Sequence, residues 1–386
     1  MHEPPLAELR SRVGKKWHHY GDDVIPAWVA DMDFAPAPAI VEAVQSFLAA
    51  GDWGYVDGRE HDRMIAAGVA WAAGRHGWNP APSDCRVVLD VMQGVSASIQ
   101  AFTQPGDGVI ITNPVYHPFG WAIESSDRRV VEAPLTGRED GFRITRAALE
   151  AAVDLGGKML LLCNPHNPTG RVFSATELAL VADVAKAADL IVVSDEIHAD
   201  LVYEPHRHIP IAAFAPAIAD RCITLVSPSK AFNLAGVGCA MAAFGTPELA
   251  AAFDELPFAL LGHPTGTGVR AATAAWELGG PWLDDLRVRL RANRDTVAAW
   301  VGENRRIGHV VPEATYLAWL DFRPLRWSVE PHERLLTKGR VALSSGAQFG
   351  TGGAGHARLN FGTYPAVLAE ILHRIEVALA ETRLVL

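Results

Sequence analysis

Short, continuous runs of apolar residues alternate with longer alanine-rich stretches through most of the chain. The runs show no alternation of apolar and polar residues, which is the pattern of strands buried on both faces of a parallel sheet. Strands that alternate with helices in this way form an open, doubly wound α/β layer. The predicted strands are residues 86–91, 109–112, 159–163, 190–194 and 223–227, and the predicted helices are residues 96–102, 175–188, 269–278 and 283–302.

The C-terminal part of the chain has a different pattern. An arginine-rich helical stretch at 284–305 precedes shorter strand-like runs near 316–321 and 358–361, and a final helix is predicted at 366–384. We interpret this part as a smaller α/β domain, because 386 residues are enough for about two domains. The predicted division is an N-terminal arm (1–45) that packs with the small domain, a large domain (46–283) and a small C-terminal domain (284–386).

Composition excludes several classes of protein. The net charge of −10 and the lack of a basic stripe give no electrostatic footprint for a nucleic-acid partner. The four cysteines form no C-x-x-C pair and no disulfide framework, so we expect a reducing, cytoplasmic setting and no metal site. The first residues contain no apolar signal-peptide core, and no apolar run approaches the roughly 18–20 residues that span a bilayer.

Polar residues follow each predicted strand of the large domain. In open α/β sheets, ligands bind beyond the carboxyl ends of the strands, so these residues are expected to converge on one ligand. The segments are residues 92–96, 113–116, 164–170, 195–198 and 227–230.

The chemistry of this set is that of an amine and a buried carboxylate. Lys230 precedes an apolar stretch, and a desolvated lysine has a lowered pKa and attacks aldehydes. Asp195 follows a buried strand, where a carboxylate needs a cation such as a protonated pyridine nitrogen, and Asn167 could hydrogen-bond a ring oxygen. Taken singly, the lysine could be a solvated surface residue and the aspartate a helix cap.

A second group of residues suits a phosphate. Ser227 and Ser229 flank the lysine and could donate hydrogen bonds, although such serines are also common in plain turns. Gly94 stands where a strand is predicted to turn into a helix, so the amides of Val95 and Ser96 could bind phosphate at the helix N-terminus.

Several motifs resemble the fold type I, pyridoxal 5′-phosphate (PLP)-dependent aspartate aminotransferase superfamily over nearly the whole chain. Within it, WVADMDF and SDEIH resemble the MalY/PatB-type C–S lyases, which include cystathionine β-lyases. The segments that carry the resemblance include residues 28–34 (WVADMDF), 53–55 (WGY), 163–170 (CNPHNPTG), 194–198 (SDEIH), 227–236 (SPSKAFNLAG) and 358–361 (RLNF).

The resemblance implies a role for each of these residues. Lys230 resembles the Schiff-base lysine, and Asp195 the partner of the pyridine nitrogen. Asn167 and His198 resemble the partners of the ring hydroxyl, and Tyr116 the aromatic that stacks on the ring, although Tyr116 could equally be a core aromatic. The substrate contacts that the resemblance implies are Arg358, which grips the α-carboxylate, with Ala30, Tyr116 and Asn167.

The resemblance also implies a phosphate cup and a dimer. Ser227 and the turn at Gly94, Val95 and Ser96 resemble the cup, and Tyr55 resembles the residue that reaches the cofactor phosphate of a second subunit. The chain departs from the pattern at residues 92–96, at 263–268, at His61, and at Gly238, where many aminotransferases carry an arginine.

The expected activity is PLP-dependent α,β-elimination from an L-cysteine S-conjugate or a cystathionine-like thioether, giving a thiol, pyruvate and ammonia. Three alternatives stay open at this stage. They are an aminotransferase, an enzyme that decarboxylates or oxidatively deaminates an S-conjugate, and a regulator that acts through protein contacts.

Overall fold

The computed structural model of the protein describes residues 3–51, 53–214 and 216–380. Its strands are β1 (Ile25–Pro26), β2 (Cys85–Val88), β3 (Gly108–Ile111), β4 (Arg129–Glu132), β5 (Gly157–Cys163), β6 (Ile191–Asp195), β7 (Cys222–Val226), β8 (Ala240–Phe244), β9 (Gly308–His309), β10 (Leu317–Asp321), β11 (Val341–Ala342), β12 (Ser344–Ser345) and β13 (His356–Asn360).

The helices cover both faces of the main sheet and much of the N- and C-terminal parts. They are α1 (Leu6–Arg10), α2 (Lys15–His18), α3 (Pro38–Ala49), α4 (Gly58–His76), α5 (Val91–Phe102), α6 (Pro118–Glu124), α7 (Arg146–Asp154), α8 (Ala175–Ala187), α9 (Ile211–Phe214), α10 (Pro216–Ala219), α11 (Pro247–Asp254), α12 (Phe258–Leu261), α13 (Gly266–Leu278), α14 (Gly280–Glu303), α15 (Pro331–Arg334) and α16 (Pro365–Ala380).

The main sheet has the strand order β2-β8-β7-β6-β5-β3-β4. Strands β7, β6, β5, β3 and β4 pair in parallel, and only β8 runs against its two neighbours. Its central strands are almost wholly buried, as their continuous apolar runs predict. The predicted α/β class with a mostly parallel, doubly wound sheet is therefore confirmed. The sequence pattern did not reveal β4 or β8.

A second, antiparallel sheet has the order β12-β13-β10-β9 and contains both strand-like runs predicted in the C-terminal part. The N-terminal strand β1 joins this part of the molecule, because Ile25 and Pro26 pair in parallel with Val341 and Ala342 of β11. This pairing is in keeping with an N-terminal arm beside a C-terminal domain, whose boundaries at 45 and 283 stay predictions.

Element ends show where sequence patterns mislead. The strand predicted at 86–91 ends at Val88, and the helix predicted at 96–102 already begins at Val91. Asp90 causes this early start, because its side chain accepts the Gln93 N–H at 2.8 Å and caps the helix. The Pro/Gly-rich stretch 263–268 is likewise partly helical, since Thr265 caps α13. The last residues of the helix predicted at 366–384 lie outside the described residues.

Candidate active site

A cleft of about 620 Å³ opens at the carboxyl ends of β2, β3, β5, β6 and β7. The loops after these strands and parts of the N- and C-terminal segments form its walls, so the predicted convergence of five strand ends is present. The predicted site residues that line it are Lys230, Asp195, Asn167, His198, Tyr116, Ser227, Arg358 and Ala30. Those that do not line it are Gly94, Val95, Ser96 and Tyr55.

Asp195 is the last residue of β6 and is buried at the floor of the cleft. Its Oδ1 accepts the Ile197 N–H at 3.0 Å. Burial raises the pKa of this carboxyl to about 7, because the charged form is poorly solvated there. A cation placed against Asp195 would reverse that effect, and a protonated pyridine nitrogen is such a cation.

Lys230 extends into the cleft from the loop after β7. Its Nζ donates a hydrogen bond to the Ala30 carbonyl at 2.8 Å. Burial lowers the pKa of the amine, and the positive charge of Arg358 acts in the same direction. A lysine with a lowered pKa is more often neutral, so Lys230 has the properties of an amine nucleophile and a proton acceptor.

Arg358 lies on β13 and is almost wholly buried. Its Nη1 donates to Asn167 Oδ1 at 2.9 Å, and its Nη2 donates to the Trp28 carbonyl at 3.0 Å and to Ser344 Oγ at 3.1 Å. Burial lowers the pKa of the guanidinium to about 10, so it stays charged at neutral pH. A fixed, charged fork in a closed setting is suited to bind a carboxylate.

His198 and Tyr116 supply polar and aromatic groups to the same cleft. Burial lowers the pKa of His198 to about 3, with further contributions from Lys230 and Arg358, so its imidazole is neutral. Its Nδ1 is buried and has no hydrogen-bond partner within the described part of the chain. An orphaned buried nitrogen of this kind indicates that a ligand completes the site. Tyr116 is half-buried, so its ring packs against the core beside Phe119 and also lines the cleft.

The helix N-terminus that could hold a phosphate is displaced from the predicted position. Because α5 begins at Val91, the amides of Val95 and Ser96 lie inside the helix, and the Gly94 N–H donates to the Asp90 carbonyl at 3.0 Å. Val91 and Met92 are the first-turn residues that line the cleft. First-turn amides have no partner within a helix, so in this structure the amides of Val91 and Met92, and not those of Val95 and Ser96, are the ones available to an anion in the cleft.

Ser227 stands at the same end of the cleft, but its hydroxyl already has a partner. Its Oγ donates to the Cys239 carbonyl at 2.7 Å and accepts the Ser229 N–H at 3.2 Å. A phosphate contact from Ser227 would have to replace the bond to Cys239. Ser229 also lines the cleft and is a further candidate donor.

The space around Gly238, the residue eight positions after Lys230, is too small for an arginine side chain. A Cβ atom at this position would lie 2.9 Å from the Leu89 carbonyl, so a side chain there would require the backbone to shift. The phosphate end of the cleft therefore lacks that cation.

Tyr55 lies on the surface, 95% exposed. Tyr55 is therefore not a core aromatic of this chain, which would have been the ordinary interpretation of a lone tyrosine. Its ring centroid is 6.0 Å from that of His263, which also contacts Phe258, and Trp53 and Phe258 are 72% and 64% exposed. We call Trp53, Tyr55 and Phe258 the aromatic patch. Gln93 follows the cleft residues Val91 and Met92, and its Nε2 donates to the Leu260 carbonyl of α12, the helix that contains Phe258, at 2.7 Å.

Sequence reasoning did not identify the residues that hold Arg358 and the Ala30 carbonyl in place. Trp28 and Ser344 bond to Arg358, and the Tyr316 hydroxyl donates to the Ala30 carbonyl at 2.9 Å. Trp28 and Tyr316 belong to motif-like segments, but Trp28 acts through its backbone carbonyl, which no residue type reveals.

The residues of the cleft fit PLP as a group. They provide an amine for an aldehyde, a buried carboxylate for a cationic ring nitrogen, an aromatic face, and free amides for a phosphate. Among the described residues, no cluster of side chains could hold a metal ion, and no helix is long and apolar enough to cross a membrane.

Comparison with known proteins agrees with this chemistry. The family model for aminotransferase class I and II matches residues 29–375. The chain belongs to this family. It is 36% identical to the cystathionine β-lyase PatB of Bacillus subtilis over 374 residues, which are 95% of this chain and 96% of PatB.

Two solved structures have the same fold over almost their full lengths. A putative PLP-dependent β-cystathionase from Corynebacterium diphtheriae has a TM-score of 0.93 and 32% identity, covering 99% of this chain and 100% of its own. Cystalysin from Treponema denticola, which contains PLP, has a TM-score of 0.91 and 32% identity, covering 96% of both chains.

The environment of Asp195 predicts how the cofactor-free protein responds to pH. An acid whose pKa is about 7 when folded and 3.8 when unfolded makes the protein less stable as pH rises from about 4 to about 7. Asp195→Asn removes this penalty. The variant should gain stability over wild type by about 1–3 kcal/mol between pH 5 and pH 8, measured by urea unfolding without cofactor.

The exposed Asp154, at the end of α7, supplies the control. Asp154→Asn should follow the wild-type pH dependence. A constant difference between Asp195→Asn and wild type across this pH range would contradict the role of burial.

Proposed function

We propose that this protein is a PLP-dependent C–S β-lyase that cleaves an L-cysteine S-conjugate or a cystathionine-like thioether to a thiol, pyruvate and ammonia. The observation that carries the proposal is that Lys230 and Arg358 both bond to backbone carbonyls of the same short segment, residues 28–30. Lys230 bonds to the Ala30 carbonyl and Arg358 to the Trp28 carbonyl. The proposed base and the proposed carboxylate-binding group are thus anchored two residues apart on the same segment, and both line the cleft.

The cofactor is PLP, which when bound supplies an aldehyde and a pyridinium ring that accepts electrons. Lys230 would hold it covalently and, once the amino group of the substrate has displaced it, would accept the α-proton of the substrate at Nζ. Asp195 would keep the ring nitrogen protonated, and Asn167 and His198 would be partners for the ring oxygen. The Oδ1 of Asn167 is bound to Arg358, so its NH₂ group remains as the donor.

The departing sulfur requires little help from the protein. A thiolate is a weak enough base to leave without a strong general acid. Arg358 holds the α-carboxylate during this step, and Tyr116 stacks against the ring. The named relatives, a cystathionine β-lyase and a putative β-cystathionase, support elimination at sulfur over amino-group transfer.

We also propose that the protein acts as a cytoplasmic homodimer. The four cysteines are free and buried, as is usual in a reducing compartment. The exposed aromatic patch of Trp53, Tyr55 and Phe258 adjoins the phosphate end of the cleft, where Gly238 stands in place of an arginine. Aromatic residues favour interfaces, and Tyr55 from a second subunit would add a donor for the phosphate.

The activity is tested with purified holoenzyme. Cystathionine and several L-cysteine S-conjugates should each yield pyruvate and free thiol in equal amounts. Lys230→Ala should lose this turnover, and borohydride should fix the cofactor to Lys230 in wild type but not in the variant. Lys186→Ala, at an exposed position of α8, is the control and should behave like wild type.

Two results would contradict this assignment. Transfer of the amino group to an added 2-oxo acid, with no thiol release, would make the protein an aminotransferase. Covalent fixation at another lysine in Lys230→Ala would show that Lys230 does not hold the cofactor.

Arg358→Lys tests the carboxylate grip. The change retains the positive charge but removes the fork that bonds to Asn167 and Trp28. We expect kcat/KM to fall by roughly tenfold to a few hundredfold, at about 1.4 kcal/mol per tenfold. Arg305→Lys at an exposed position should leave kcat/KM unchanged, and an equally unchanged value for Arg358→Lys would assign the carboxylate to another residue.

Subunit mixing tests the shared site. Inactive Tyr55→Ala and inactive Lys230→Ala proteins are combined under conditions that exchange subunits. A mixed dimer then has one site with both changes and one with neither, so activity should recover to about a quarter of wild type. A lack of recovery after proven exchange, or a fully active monomer by sedimentation, would refute the composite site.

A further inference from the structure

The cleft extends outward beyond the residues that face the cofactor. One part of its lining is the N-terminal segment with His19, Tyr20 and Trp28, which we call the first wall, and another part is His117 and Trp121 around the start of α6, the second wall. The side chains of these two walls have no part in the chemistry proposed for Lys230. They are therefore candidates to contact the group attached to the substrate sulfur.

The first wall is a packed aromatic cluster. The ring centroids of His19 and Trp28 are 4.7 Å apart with the planes tilted by 33°, and Tyr20 meets Trp28 edge-on at 5.7 Å. The Nε1 of Trp28 donates to the Lys16 carbonyl at 3.3 Å, which limits rotation of the indole. The wall therefore presents a fixed aromatic surface to the cleft.

Trp28 also places this surface relative to the substrate. Its carbonyl accepts hydrogen bonds from Arg358 at 3.0 Å and from Ser344 at 2.6 Å. A substrate whose carboxylate is bound by Arg358 would therefore lie in the cleft that residue 28 also lines. Few positions in the cleft are tied so directly to the bound amino acid.

The second wall is aromatic and uncharged. His117 meets Trp121 edge-on at 4.7 Å and Phe349 edge-on at 5.4 Å. Burial lowers the pKa of His117 to about 4, with a smaller contribution from Arg358, so its imidazole is neutral at physiological pH. Trp121 lines the cleft and is 61% exposed, so a large apolar surface is available there for a ligand.

The charges at the outer cleft do not match a zwitterionic leaving group. Among the described lining residues, the carboxylates are Asp90, which caps α5, and Asp195, which lies at the floor. The outer cation is Lys15, whose Nζ is 5.5 Å from the Trp28 ring centroid. An ammonium group on the thiol side, as cystathionine carries, would find no carboxylate there.

We infer that the outer cleft lined by Tyr20, Trp28 and Trp121 binds a flat aromatic group, so that the substrates of this site are L-cysteine conjugates whose thiol side carries an aromatic ring. The inference rests on the proposed lyase function. It names the thiol side of the substrate and ranks aromatic conjugates above saturated ones of the same size and above cystathionine.

A matched pair of substrates tests the aromatic preference. S-benzyl-L-cysteine and S-(cyclohexylmethyl)-L-cysteine release thiols of similar size that differ in the flat ring, and the variants below separate binding of that ring from the better leaving group it provides. With wild-type holoenzyme, kcat/KM should favour the benzyl conjugate by about tenfold, mainly through KM. Cystathionine should rank below the benzyl conjugate.

Two variants locate the preference in the outer cleft. In Trp28→Leu and in Trp121→Leu, the benzyl to cyclohexylmethyl ratio should fall toward one. Trp327→Leu is the matched control, because Trp327 stacks on Phe322 at 5.5 Å and does not line the cleft, so its ratio should equal that of wild type.

A binding measurement provides a readout apart from turnover. Lys230→Ala protein should bind S-benzyl-L-cysteine about tenfold more tightly than the cyclohexylmethyl analogue by calorimetry, and the added Trp121→Leu change should remove the difference. A wild-type ratio of one with pyruvate from both conjugates would overturn the aromatic subsite and leave the lyase function intact. Absence of pyruvate from every conjugate would overturn the lyase function, and calorimetry would then decide the subsite alone.

Discussion

Four consecutive backbone carbonyls, those of residues 28–31, tie the active site together. The Trp28 carbonyl accepts from Arg358 and Ser344, and the Ala30 carbonyl accepts from Lys230 and Tyr316. The carbonyls between and after them, of Val29 and Asp31, both accept from Asn360, and Asp31 also accepts from Lys16. This segment belongs to no strand or helix, so side chains satisfy the buried carbonyls in place of a ladder.

These hydrogen bonds join three parts of the chain that are far apart in the sequence. Lys230 lies in the loop after β7 of the main sheet, Arg358 lies in the antiparallel sheet, and the carbonyls belong to the N-terminal segment. Asn233 strengthens the link, because its side chain bonds to Met32 through both the N–H and the carbonyl. The positions of Lys230 and Arg358 relative to each other thus depend on backbone atoms that cannot be displaced without breaking several hydrogen bonds.

Sequence patterns were sufficient to predict which residues lie at the floor of the cleft, but not which residues lie at its edges. Asp195, Lys230 and Asn167 were predictable because each follows a long apolar run, and parallel strands bring such positions to one edge. The anion-binding turn was misplaced because Asp90 starts the helix at Val91, and a capping aspartate resembles an ordinary loop residue in the sequence. The contacts of Trp28 could not be predicted, since every residue has the same carbonyl.

The residues proposed to take part in the reaction lie at the floor of the cleft, whereas the residues proposed to select the substrate lie in its outer part. The groups at the floor can serve any amino acid that a PLP enzyme activates at its α-carbon, because they address the carboxylate, the α-proton and the ring. Selectivity must therefore come from residues that contact the remainder of the substrate. In this chain the candidates include the aromatic and imidazole side chains of the two walls, and the Trp28 carbonyl is also an acceptor for Arg358. A substitution at Trp28 can consequently alter the choice of thiol through its ring, while the carbonyl that supports the carboxylate grip is retained.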